Sequence, residues 1–337
     1  SGGYLLFGVD ALNGVASAVL GVADIDADAS ILRIHQVLDS GIDPPIPGIA
    51  IQPIQISEGK CVLAVRVPRS WRMPHLVKAG ISFRMFARTS RGKQPLDVRE
   101  MRFAFENISG AAETVRRWRE ERIARISSGD TPVRLESGAK LVLHVVPMET
   151  IGDPTRLAAK EMSNADLSLQ PIGVSGWSSR YNLDGIVTHS GRTYSVKNGP
   201  ESCYCQLFRS GRIESVSCLP MDKPDGNHYI PSKWLEKATC DAVIRSVRSL
   251  SLLGIGYPHS VLLSFVGSLG TYIYLDPSQW HDDDHPIDRD IVLLPDIMLE
   301  EHPNDMPVAL RPVFDAAWNA CGLPSSLNYD SNGKWLG

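Results

Sequence analysis

The chain has 337 residues, 43% hydrophobic and 21% charged, with a formal net charge of −4. This fits a globular protein of one large or two ordinary domains and excludes collagen, coiled coil and bulk disorder. No apolar run reaches the ~18–20 residues of a membrane helix, no signal peptide is visible, and six cysteines over this length do not make a disulfide framework; a cytoplasmic protein with reduced thiols and no membrane partner is expected.

The chain opens Ser1-Gly2-Gly3-Tyr4, without Met and inside an expected strand (residues 4–9), as a fragment of a longer protein would. Asn13-Gly14 signals a hairpin returning through residues 15–20. Asp24, Asp26 or Asp28 can cap a helix marked by Ile31, Ile34, His35 and Leu38 and stopped at Gly41. Residues 49–56 and 61–67 read as neighbouring strands and 68–74 as a loop. Residues 81–87 read as a further strand, and Asp97 as the cap of a short helix ending at Phe105. Residues 111–126 form a separate basic helix with a thin apolar stripe of Val115, Trp118, Ile123 and Ile126. A domain boundary is expected near residues 128–138.

The second half begins with an apolar strand, 140–147. Strands follow at 183–188, 192–196, 203–208 and 212–219. Ser232 is expected to cap a long helix that Gly254 stops. A strand pair around Gly267–Gly270, a strand at 291–294 and a helix near 307–320 complete the pattern. The fold class is α+β, in three parts: residues 1–108, a basic helix and linker over 109–137, and a strand-rich α+β region over 138–337.

Charge is uneven along this order. Residues 1–65 hold 2 Lys/Arg against 7 Asp/Glu, residues 66–134 hold 16 against 7, and the remainder holds 16 against 24. Fourteen of the 16 bases in the middle segment are Arg, the side chain suited to bidentate phosphate contacts. The plainer reading is a solvated surface with acidic partners elsewhere in the fold.

Several chemistries have no support. There is no phosphate-binding Gly-x4-Gly-Lys-Ser/Thr loop, no dinucleotide fingerprint after a strand, and no nucleophile elbow around Ser175. Cys203, Cys205 and Cys218 could bring three sulfurs together, but no fourth zinc ligand is evident, and buried cysteine is the plainer reading. His281-Asp282-Asp283-Asp284-His285 is dense in ligand types; Asp282 and Asp284 are the weak metal candidates, against a solvated acidic loop. Arg209 and Glu214 read as a cross-strand surface ion pair of a hairpin.

Gly2-Gly3-Tyr4-Leu5-Leu6-Phe7-Gly8-Val9-Asp10, followed by Gly14, Gly21-Val22, Val67-Pro68-Arg69-Ser70, Pro74, Phe83-Arg84 and Arg88, resembles the Schlafen-type AlbA-like nucleic-acid-binding domain of bacterial proteins over about residues 1–106. Leu143-His144-Val145-Val146-Pro147, Asn182-Leu183-Asp184-Gly185, the run from Gln206 to Glu214 and the region of Trp318 resemble an uncharacterised extension seen after that domain. The resemblance implies DNA or RNA as partner, with no cofactor. Arg66, Arg69, Arg72, Lys78, Arg84, Arg88, Arg91 and Lys93 are the expected phosphate contacts, aided by the helix at 116–125 and by Trp71 as a stacking residue. Some members cut RNA with three carboxylates and Mg or Mn. The third matches Asp10, while the two upstream glutamates lie outside this sequence, so the chain itself is expected to be catalytically inactive. A capping role for Asp10 in the hairpin is the plainer reading. The acidic second half leaves a third possibility, a non-enzymatic interaction module or homo-oligomer.

Overall fold

The computed structural model describes residues 2–12, 15–23, 26–46, 48–57, 59–68, 70, 72–80, 82–89, 92–151, 157–163, 168–191, 199–219, 228–274 and 285–337. Their contacts divide into two compact units, Ser1–Glu113 and Thr114–Gly337. Strands and helices are mixed throughout, an α+β chain as expected. Among the described residues no helix is long and apolar enough to cross a membrane.

The first unit runs β1 (Gly3–Phe7), β2 (Val9–Leu12), β3 (Val15–Val19), β4 (Val22–Ala23), α1 (Ala27–Gly41), β5 (Ile42–Asp43), β6 (Ala50–Ser57), β7 (Lys60–Val67), β8 (Leu76–Ala79), β9 (Ser82–Thr89) and β10 (Gly92–Pro95). The long helix α2 (Val98–Ser127) follows and supplies its residues from Thr114 on to the second unit. Strand β7 is central in its sheet: β6 pairs along one side, and β1 and then β4 along the other. Its apolar run explains this place, since Cys61, Val62, Leu63 and Val65 are all buried. The β2–β3 hairpin is closed at Gly8, whose carbonyl accepts from the N–H groups of Leu20 and Gly21. Gly8 has φ +94°, and a Cβ there would meet the Gly21 backbone at 3.0 Å, so only glycine fits. Asp26 caps α1, its carboxylate accepting from the Ala29 N–H at 3.0 Å. A second sheet has the order β10-β9-β8-β5.

Helix α2 departs from the sequence reading. Asp97 does cap its start, in a reciprocal pair with Glu100 (2.8 and 2.9 Å). The two short helices expected on either side of 106–110 are one continuous helix. An interior glycine costs only about 1 kcal/mol against alanine, and Gly110 is carried by the turns on both sides. The segment expected to be a linker is core-forming, with Val115, Ile123, Ile126 and Val133 buried.

The second unit continues with β11 (Lys140–Pro147), α3 (Ala159–Met162), β12 (Ser178–Tyr181), β13 (Gly185–His189), β14 (Cys203–Phe208), β15 (Ile213–Cys218), β16 (His228–Pro231), α4 (Ser232–Leu252), β17 (His259–Val266), β18 (Thr271–Tyr274), β19 (Ile291–Leu293), β20 (Ile297–Leu299) and α5 (Met306–Asn319). An eight-stranded antiparallel sheet has the order β12-β13-β14-β15-β11-β17-β19, with β20 also on β17. Alternation divides its faces. Leu141, Leu143, Val145, Leu207, Ile213, Leu263 and Phe265 join α4 and α5 in the larger core. Val142, Val187, Tyr204, Val216 and Val266 meet Ile123 and Ile126 of α2 in a smaller one. The second unit is thus a helix–sheet–helix sandwich. The hairpin expected around Gly267–Gly270 does not form: β17 pairs with β11, β19 and β20, while β18 pairs in parallel with β16. Ser232 opens α4 as its first helical residue instead of capping it; the N-cap is Pro231. The strand expected at 192–196 lies outside the described residues.

The C-terminal segment is tied to α4 by the fully buried Glu236. Its carboxylate accepts from the indole N–H groups of Trp318 (3.0 Å) and Trp335 (2.7 Å) and from the Ser326 hydroxyl.

Candidate nucleic-acid interface

Four of the eight expected cationic positions fall on the sheet β10-β9-β8-β5. Its register sets Arg88 opposite Lys93 and Arg84 opposite Val77. Strand alternation places positions 84, 86, 88 and 93 on one face, with 84 and 88 about 13 Å apart along the strand. The Lys93 ammonium lies 4.3 Å from the centre of the Phe86 ring, a cation–π contact that restrains it while leaving the charge available. Arg84 is exposed.

The other positions do not join this face. Lys78 stands opposite Phe83, on the reverse face, 3.0 Å from the Asp43 carboxylate. An exposed ion pair adds little stability, but it offsets the charge that Lys78 was expected to offer. Arg66 stands in the other sheet, half-buried between Tyr4 of β1 and Ala50 of β6. Arg72 is in the loop before β8, its backbone N–H bonded to the Ser70 hydroxyl. Nearby His75 is held below its usual pKa by burial and, secondarily, by the Arg72 charge. Arg69, Arg91 and Trp71 lie outside the described residues.

The sequence places the arginines of helix 116–125 on the basic surface, yet two of the five are internal. Arg119 and Arg122 are 6% and 7% exposed. Arg119 donates to the Leu294 carbonyl at 2.8 Å. Arg122 forms a two-pronged bond with Glu214, 2.8 Å on each oxygen. Glu214 also accepts from the Tyr204 hydroxyl (2.8 Å) and from His144 Nε2 (3.0 Å). An ionised carboxylate only accepts, so Nε2 carries the imidazole proton. Trp118 closes the cluster, edge-on to His144 at 4.8 Å. Burial alone would raise the Glu214 carboxyl; the bonds from Arg122 and His144 overcome it and hold the group at about 2. The surface pair expected between Arg209 and Glu214 is absent, because Glu214 points into the sheet–helix interface and Arg209 donates to the carbonyls of Leu183 and Leu157. A sequence signal for this network exists: Val115, Arg119, Arg122 and Ile126 recur on one helical stripe, and Glu214 sits between Ile213 and Ser215 of a buried strand.

Asp10 stands exposed in β2 at a bulge, where its backbone carbonyl accepts from the Ser17 hydroxyl. Among the described residues no three of His, Cys, Asp and Glu are grouped to hold a metal. Asp282 and Asp284 lie outside the described residues. All six cysteines are free and buried. Cys203 and Cys205 share a face of β14, whereas Cys218 follows Val216 on the opposite face of β15, so the three sulfurs do not converge from one side. Burial raises the Cys203 thiol to about 11 and Cys205 to about 12, which keeps them protonated and unreactive at neutral pH. No family model, no curated protein and no solved structure matches this chain.

Proposed function

We propose that the first unit is a nucleic-acid-binding domain of the Schlafen-type AlbA-like kind, gripping the sugar–phosphate backbone through Arg84, Arg88 and Lys93. The register that sets Arg88 against Lys93 on the face that also holds Arg84 is the observation that supports it most. The Arg84 and Lys93 side chains, with no acid paired to either among the described residues, share this face with position 88. Such contacts give affinity without base readout. Lys78, Arg66, Arg119 and Arg122 are not part of this surface, so the footprint is small.

The test is a titration of the full chain with single- and double-stranded DNA and RNA at low and moderate salt. The expected result is binding that weakens log-linearly with salt. The double variant Arg84→Glu/Lys93→Glu should bind at least ~10-fold more weakly and lower the salt slope by about 2, one unit for each phosphate no longer neutralised. Absence of binding at low salt, or equal binding by the double variant, overturns the assignment.

A further inference from the structure

We infer that β1 is a dimerisation strand, pairing antiparallel with β1 of a second copy of this chain. Among the described residues β1 pairs with β7 alone, so its other edge presents unpaired backbone N–H and C=O groups. Proteins usually protect such an edge with charge, proline or a bulge. Gly3-Tyr4-Leu5-Leu6-Phe7 carries none of these, and all five residues are exposed. Tyr4 is 72% exposed, Leu5 53%, Leu6 47% and Phe7 42%.

Those four side chains leave roughly 400 Å² in water, divided between the two faces of the strand, against the ~300–600 Å² of the largest patch on a typical monomer. The adjoining hairpin, tied to β1 at Gly8, adds exposed Leu12, Val15, Val19 and Leu20.

A second copy fits this edge for a reason of charge. Residues 1–65 are acidic, so a like partner would be repelled wherever its charges came close. Strand β1 itself has no ionisable side chain apart from the phenol of Tyr4. Antiparallel self-pairing about Leu5 sets Gly3 against Phe7, Tyr4 against Leu6 and Leu5 against its symmetry mate, with no charge opposed. A two-fold interface of this kind closes on itself and leaves β6 as the outer edge of a continuous sheet.

The experiment is sedimentation equilibrium of the full chain across a concentration series, with Leu5→Lys as the first variant. The wild type should give twice the chain mass. Leu5→Lys, which sets two ammonium groups side by side at the two-fold centre, should weaken the dimer at least ~100-fold while retaining the wild-type circular dichroism spectrum. A second variant, Leu5→Cys, covers the case in which lysine disturbs the unit. Because all six native thiols are buried, oxidation should join two chains through residue 5 and give a covalent dimer on a denaturing gel. A wild-type chain that stays monomeric at every concentration overturns the inference. So does an open-ended series of larger species, a dimer unaffected by Leu5→Lys in properly folded protein, or a Leu5→Cys chain that does not cross-link.

Discussion

A carboxylate moved from water into a protein interior costs several kcal/mol unless donors meet its oxygens, and Glu214 meets four N–H and O–H groups from three residues. Removing one member leaves the others buried and unpaired. Arg122→Met is therefore expected to destabilise the second unit by about 3–5 kcal/mol, read as a lower urea midpoint with unchanged slope. Glu214→Gln should cost a similar amount, because it strands the guanidinium; wild-type stability in both variants would show the network to be energetically idle. His259 gives a separate, pH-dependent effect. It is fully buried, its Nδ1 has no hydrogen-bond partner among the described residues, and burial lowers its pKa from 6.5 to about 4. Between those values the unfolded chain takes up a proton that the native one does not, so stability must fall as pH falls from 6.5 to 4, by at most about 1.4 kcal/mol per pH unit from this group. Glu214 contributes in a lower window, with stability lost as pH drops from about 4.5 towards 2. Urea unfolding at pH 7, 5.5 and 4.5 should show the upper slope in wild type and a shallower one in His259→Gln; identical slopes would remove His259 as the cause.

At the scale of elements, what can be read from the sequence is what local periodicity dictates. Strands β6, β7, β11, β14 and β15 and helices α1, α4 and α5 carry clear apolar patterns and stand within a few residues of where those patterns put them. The short strands β4, β5, β16 and β20 are defined by partners distant in sequence, and β8, β10 and β12, hairpin partners of their neighbours, are only four residues long, so a window of their own length carries little signal for any of them. Strand β10 matters most here. Its hairpin pairing with β9 brings Lys93 opposite Arg88, and Gly92-Lys93-Gln94-Pro95 carries no strand pattern of its own that would announce it. The arginines of α2 mislead for a related reason. Composition marks them as basic, but whether a guanidinium faces water or a buried acid depends on Glu214, 92 residues away from Arg122. The alternation that aims Glu214 inward is visible in the sequence; its partner is not.

At the scale of the molecule, the two units differ in how much apolar surface they bury. Among the described residues of the first unit, the buried aliphatic and thiol side chains are Cys61, Val62, Leu63 and Val65 of one strand, while α1 has none. The second unit buries many side chains completely, among them Trp318, Tyr204, Phe265 and Phe314. Stability follows buried apolar area, so the units should not unfold together. Denaturation followed by circular dichroism is expected to be biphasic, with the first unit lost at the lower urea concentration. If β1 pairs between copies, mass action ties that first step to protein concentration, because only the native unit dimerises. A tenfold rise in concentration should then move the first midpoint upward and leave the second in place, and Leu5→Lys should abolish the movement. Arg122→Met should do the reverse, shifting the second midpoint alone. A single transition for all variants, or a first midpoint independent of concentration in a chain that sediments as a dimer, would mean that the thin core of the first unit is not what limits it.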